Sequence, residues 1–272
     1  MHYKLIINHG LISLLGYIFY TPPYSLSSTI LNCSGDIPKK VPCLIKASTY
    51  SINVSRIDIC KKNPFPSSRF TPNYFGAECI NLFNINNENK KINLDKISIF
   101  EIPKSIEKFN KDGKYSYISM VLINEFTISG KYKVGDVIYK TGSKGPKDIL
   151  LDKNKNTKPF KFSERLKNWR GNDDKDNKYC DGGGTYTRCN LSYNGLKLNA
   201  IGLNKDFYET YGENTRYLFY LSKLSKPYEI SENSTGYFEI KYIKNLEVYG
   251  DGVEIKSISI APFLFKAVYY ER

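Results

Sequence analysis

The sequence predicts an all-β protein: an antiparallel sandwich of jelly-roll type, carrying disulfides and a long irregular insertion at 140–178. Three observations support this. Two long runs, 50–60 and 115–130, carry strand patterns. The aromatic content is dominated by 23 Tyr and 15 Phe against one Trp, and Tyr and Phe favour strands. Six cysteines form an even set suited to crosslinks.

Taken in order, residues 1–27 read as a secretory signal. Lys4 and the free amine supply positive charge, 11–20 is a short apolar run, and Ser25-Leu26-Ser27 offers small residues for cleavage after Ser27. The run falls short of the roughly 20 residues that span a bilayer; the alternative is an uncleaved anchor or a buried strand. Residues 28–272 form the mature β domain. Its first segment, 28–47, holds Pro38, Pro42, Cys33 and Cys43 and reads as a looped, tacked-down arm.

In 50–60, Tyr50, Ile52 and Val54 alternate with Ser51, Asn53 and Ser55; then the phase shifts and Ile57 and Ile59 become the apolar set. One extra residue at Ser55–Arg56, a β-bulge, would return both sets to one side. Cys60 closes the strand. A turn-rich stretch follows to Cys79, then short strands at 80–83 and 91–100, and a helical turn at 105–109. The 115–130 run is apolar on both faces at its centre, as for a strand covered by a second sheet. Together, the 50–60 and 115–130 runs resemble the paired strands of uncharacterised exported β-rich proteins of AT-rich marine bacteria. The resemblance spans the first half of the mature chain and implies no activity.

Residues 139–178 break the pattern, with Phe160, Phe162, Leu166 and Trp169 as anchors and Ser163 placed to cap a short helix. A loop this long is functional, disordered or a domain boundary. Cys180 and Cys189 then flank a glycine-rich tip, Asp181 to Gly184, in a crosslinked hairpin, and Asn194-Gly195 signals a tight turn. After a helical turn near 207–211, strands return at 217–222, 237–243, 246–249, 253–260 and 263–270, with a turn at Gly250-Asp251-Gly252.

Both histidines, His2 and His9, lie in the signal, so the mature chain lacks Ser-His-Asp and Cys-His sites and the usual His-ligated metal centres. Export makes local disulfides the economical reading: Cys33–Cys43, Cys60–Cys79 and Cys180–Cys189. A formal charge of +13 favours acidic partners such as anionic polysaccharide, lipopolysaccharide or lipid headgroups, although outside the cell a diffuse lysine surface more often serves solubility. Nucleic acid is not an expected partner outside the cell, and no transmembrane segment is expected in the mature chain.

Candidate sites follow from residue chemistry. Trp169, Arg170, Tyr179 and Tyr186 could make an aromatic platform for sugar stacking, although a lone Trp more often anchors its own loop. Asp173, Asp174 and Asp176 are the best carboxylate cluster for a weak calcium site; Asp152 also opens a calcium-like run, but Thr157 and Ser163 stand where glycine and glutamate are needed. No other cofactor is expected. Glu209, Glu213, Glu239 and Glu247 are the acids available to a histidine-free hydrolase, and Tyr, Lys and Arg could serve a polysaccharide lyase. Phe263, Phe265 and Val268 mark a terminal strand that pairs within its own sheet or is offered to a neighbour by strand addition. The expected function is therefore non-catalytic: a secreted, periplasmic or cell-surface structural protein, a fibre or matrix subunit assembling with copies of itself. A carbohydrate-binding or adhesive module is the alternative, and a polysaccharide-cleaving enzyme the third.

Overall fold

A computed structural model of the chain describes residues 32–84, 92–93, 99–101, 113–152, 157–167, 185, 187–193, 196–230, 236–261 and 263–271. The strands run β1 (Cys43–Lys46), β2 (Thr49–Cys60), β3 (Cys79–Asn84), β4 (Ile92–Asn93), β5 (Ile99–Glu101), β6 (Gly113–Ser129), β7 (Lys131–Val134), β8 (Val137–Thr141) and β9 (Ile149–Asp152). They continue as β10 (Phe162–Glu164), β11 (Arg188–Tyr193), β12 (Leu196–Leu203), β13 (Tyr217–Ile230), β14 (Gly236–Ile243), β15 (Asn245–Gly250), β16 (Ile255–Ile260) and β17 (Leu264–Glu271). The fold is all-β, and every ladder between strands is antiparallel.

The phase break in β2 is a bulge. Val54 lies opposite Leu122 and Arg56 opposite Val121, so β2 advances by one residue more than β6, and Ser55 is the surplus. Tyr50, Ile52, Val54, Ile57 and Ile59 all enter one core as a result. Just before it, β6 carries its own surplus between Leu122 and Phe126. Asn124 sits in that irregularity, buried, with its Nδ2 donating to Leu166 O at 2.7 Å and Thr215 O at 3.0 Å. Its Oδ1 accepts from Leu166 N at 2.9 Å. The amide therefore fastens two loops to the central strand.

The first layer has the order β11-β12-β13-β6-β2-β3, with β10 added to β6 and β4 to β2. The second layer is one long hairpin. β14 and β15 are separated only by Lys244, and β16 and β17 pair against them with Leu246 opposite Ile260 and Ile243 opposite Leu264. Asp251 Oδ1 closes the turn by accepting from Val253 N and Glu254 N, and Gly252 adopts the positive φ of 90° the turn requires. β1 flanks β15 and β5 flanks β14. Inward residues of both layers, among them Phe126, Tyr220, Phe238, Phe263 and Phe265, form the main core.

Two expected crosslinks are present, Cys33–Cys43 and Cys60–Cys79. Cys189 is also disulfide-bonded, while Cys180 lies outside the described residues. The arm is looped and docks on its own domain: Tyr132 Oη donates to Asp36 O at 2.6 Å, and Lys40 N to Gly250 O at 2.9 Å. No helix among the described residues is long and apolar enough to cross a membrane.

Several local expectations change. Ser163 lies in β10, paired with Thr127, and does not cap a helix; the interval 140–178 holds β9 and β10 in its described part. Tertiary pairing outweighs the capping signal there. Around 207–211 the chain turns without a helix, and Phe207 takes a positive φ of 63°. β13 runs on past Ser222 to Ile230 because a register shift between Lys223 and Tyr228 accommodates Pro227 within the strand. The 105–109 turn lies outside the described residues.

The free edge of β16 is closed in part by a carboxylate. Ile260 N donates to Glu164 Oε2 at 2.8 Å, and Ile258 N donates to Pro146 O at 2.9 Å. Burial pushes the Glu164 carboxyl up to about 7, with Glu247 adding to the rise and the Ile260 N–H opposing it. Between its ordinary value of 4.5 and about 7, the folded protein holds a proton that the unfolded chain releases. Stability should therefore fall as pH rises through that window. Glu164→Gln, whose amide oxygen can still accept from Ile260, is expected to flatten this fall in thermal-unfolding scans. Identical pH slopes for the two proteins would refute the assignment.

Candidate functional site

The outer face of the first layer is built in rows by strand register. One row runs Arg188, Ile201, Phe219, Val121, Arg56. The next runs Asn190, Asn199, Leu221, Ser119, Asp58, Asn81. Strand alternation sends their neighbours, such as Cys189, Ala200 and Tyr220, into the main core. Ile201, Phe219, Val121 and Leu221 are thus apolar on the face away from the core, and something must cover them.

The cover is the loop 61–78, tethered at its base by Cys60–Cys79 over a separation of 19 residues. A crosslink of that span contributes about 3 kcal/mol if unstrained. Phe65 packs edge-on against Phe219 with centroids 5.2 Å apart. Asn63 Oδ1 accepts from Phe65 N at 2.8 Å, which folds the start of the loop back onto the sheet. Farther along, Tyr74 receives the Arg56 guanidinium over its ring at 3.7 Å. Arg56 in turn grips buried Asp58 through two hydrogen bonds of 2.7 Å. Burial pushes the Asp58 carboxyl up, against the pull of Arg56 and Asn81.

At the other side of the flap, Arg188 is the clamp. Its Nε donates to Glu209 Oε1 and Oε2 at 2.9 and 2.8 Å, and its Nη2 to Glu209 Oε2 and to Arg69 O at 2.5 Å. The guanidinium carbon lies 5.0 Å from the Phe65 ring centroid. Burial pushes the Glu209 carboxyl up, but hydrogen bonds from Arg188 and Thr187 outweigh it and hold it below its ordinary value.

Between flap and sheet edge lies a cleft of about 400 Å³, lined by Asn63, Phe65 and Ser67 from the flap, by Thr185, and by Arg188, Cys189, Asn190, Asn199, Ala200 and Ile201 from β11 and β12. The lining mixes amides and hydroxyls with apolar surface, an aromatic ring lies at the flap wall, and among the described residues no carboxylate lines it. Asn190 and Asn199 face each other directly and are exposed. Two residues along from Asn199 and Leu221 on the same face are Lys197 and Lys223, both exposed. Neither has an ion-pair partner among the described residues. Exposed cations of this kind favour an anionic partner.

Trp169, Arg170, Tyr179, Tyr186, Asp173, Asp174 and Asp176 lie outside the described residues. Among the described residues no group of three or more His, Cys, Asp or Glu side chains could hold a metal ion. Asp152 is already engaged by Lys140 at 2.9 Å and Thr157 Oγ1 at 2.7 Å, which hold its carboxyl far below the usual range. Of the acids weighed for hydrolysis, Glu209, Glu213 and Glu239 are ion-paired with Arg188, Lys167 and Lys241, and Glu239 and Glu247 stand in the other layer. Phe263 and Phe265 are core residues and Val268 is half-buried, and β17 pairs with β14.

Reading by residue type missed Arg188, Asn199 and Lys197, and took Asn190 only as an Asn-x-Ser/Thr glycosylation acceptor alongside Asn32, Asn53 and Asn233. The local signal was the Asn194-Gly195 turn, whose two-residue length sets Asn190 opposite Asn199. Comparison with known protein families, curated proteins and solved structures finds no match. As a test of the clamp, Glu209→Ala should leave the Arg188 charge uncompensated and cost about 1–2 kcal/mol after solvent screening. We expect a lower denaturant midpoint and faster proteolysis within 61–78; no change in either would show that Arg188 does not hold the flap.

Proposed function

We propose that this protein is an exported, non-catalytic domain that binds acidic polysaccharide in the cleft between the 61–78 flap and β11–β12. The observation that carries the reading is the facing pair Asn190 and Asn199 beside Lys197 and Lys223, which have no ion-pair partner among the described residues. Amides offer a donor and an acceptor each to sugar hydroxyls, and the lysines supply charge for carboxylates or sulfates. The disulfides are in keeping with an oxidising compartment. The test is a glycan array of acidic and neutral polysaccharides with Asn199→Ala and the double variant Lys197→Ala/Lys223→Ala. The double variant should lose acidic ligands, with wild-type binding weakening as salt rises. Binding that is indifferent to all three substitutions would discard the site.

A second reading, assembly by strand addition, is favoured by β17. It is an edge strand in the order β17-β14-β5, and among the described residues its outer edge hydrogen-bonds to no other element. Such an edge is a template for another strand. Sedimentation of the mature protein over a concentration series should reveal assembly, and Val268→Lys should abolish it. Monomers throughout would end this reading.

A further inference from the structure

The cleft ends at Arg188, and Arg188 leads directly to two exposed aromatic rings. Its Nη2 bonds to Arg69 O, next to Phe70, and its carboxylate partner Glu209 follows Tyr208. The two loops are joined there, because Glu209 N donates to Phe70 O at 2.9 Å. Phe70 is 70% exposed and Tyr208 57% exposed. Large rings in the open cost solvation and usually fold away.

These rings are held out by a rigid backbone. Asn204 Oδ1 accepts from Asp206 N and Tyr208 N at 2.8 and 3.0 Å, and Asn204 N donates to Tyr208 O at 2.8 Å. Phe207 takes a left-handed backbone, φ 63°, and stacks on Tyr217 at 4.8 Å and 8°. That conformation is unfavourable for an aromatic residue and persists only where the surroundings impose it. Thr210 N then donates to Gly202 O at 2.9 Å, so the loop lies directly on β12; a Cβ at Gly202 would meet Thr210 O at 2.6 Å. Beside Phe70, the exposed Arg69 side chain has no ion-pair partner among the described residues.

We propose that Phe70 and Tyr208 form a second subsite, an aromatic shelf that stacks sugar rings of the same acidic chain whose first units occupy the cleft. This rests on the acidic-polysaccharide reading and extends it: the ligand is a polymer, recognised over several units, with Arg69 meeting a carboxylate or sulfate beside a stacked ring. Rigid, exposed rings bind at little entropic cost, and apolar sugar faces suit them.

The test is titration calorimetry with oligogalacturonides and heparin oligosaccharides of graded length. Wild-type affinity should climb with length in at least one series. Phe70→Ala and Tyr208→Ala should cost about tenfold on the long oligomers and nothing on the shortest that binds. Asn199→Ala should weaken every length. Thermal unfolding confirms that each variant is folded, and both substituted rings are exposed. If the shelf variants match wild type at every length while Asn199→Ala weakens binding, the shelf is overturned and the cleft stands. If wild type binds neither series, both fall. Binding to phosphatidylserine vesicles that needs Phe70 and Tyr208, without any effect of these rings on oligosaccharides, would also overturn it.

Discussion

Everything in this protein hangs on the ladder between β2 and β6. Each strand carries surplus residues, and the surpluses fall next to each other, between Ile52 and Arg56 on one side and between Val121 and Phe126 on the other. The bulges return Ile57 and Ile59 to the face already occupied by Tyr50, Ile52 and Val54. The same shift sends Arg56, Asp58 and Cys60 outward. One face of the ladder is therefore core, and the other is the floor on which a site is assembled.

Cys60 follows from that phase. Had the alternation run unbroken, this cysteine would have pointed into the core and its crosslink to Cys79 could not have carried a surface loop. Facing outward, it ties down 61–78, which brings Phe65 and Tyr74 over a face too apolar to leave in water. Expected to be covered by a second sheet, the outer side of β6 is instead covered by this loop. A sheet would have closed the face completely. A loop leaves the cleft beside β11 and β12 open.

Charge is distributed by the same logic. Three buried or half-buried cations each meet a carboxylate: Arg56 with Asp58, Lys140 with Asp152, Arg188 with Glu209. Leaving any of them alone would be expensive. The exposed cations Lys197, Lys223 and Arg69 have no such partner among the described residues, and they ring the cleft and its shelf.

Local sequence determined the sheet class, the bulge at Ser55, the turn at Gly250-Asp251-Gly252 and the local crosslinks Cys33–Cys43 and Cys60–Cys79. These are short-range facts, set by side-chain period, turn stereochemistry and small loop closure. The site was only half visible. Asn194-Gly195 signalled a tight turn, but nothing local said which face of that hairpin would stay open. Nor could it place Phe65 over Phe219, or Glu209 against Arg188, since those contacts join segments far apart in the chain. Which surface is covered and which is left open is decided when distant strands pack, because burial is a property of neighbours in space and not of residues in order.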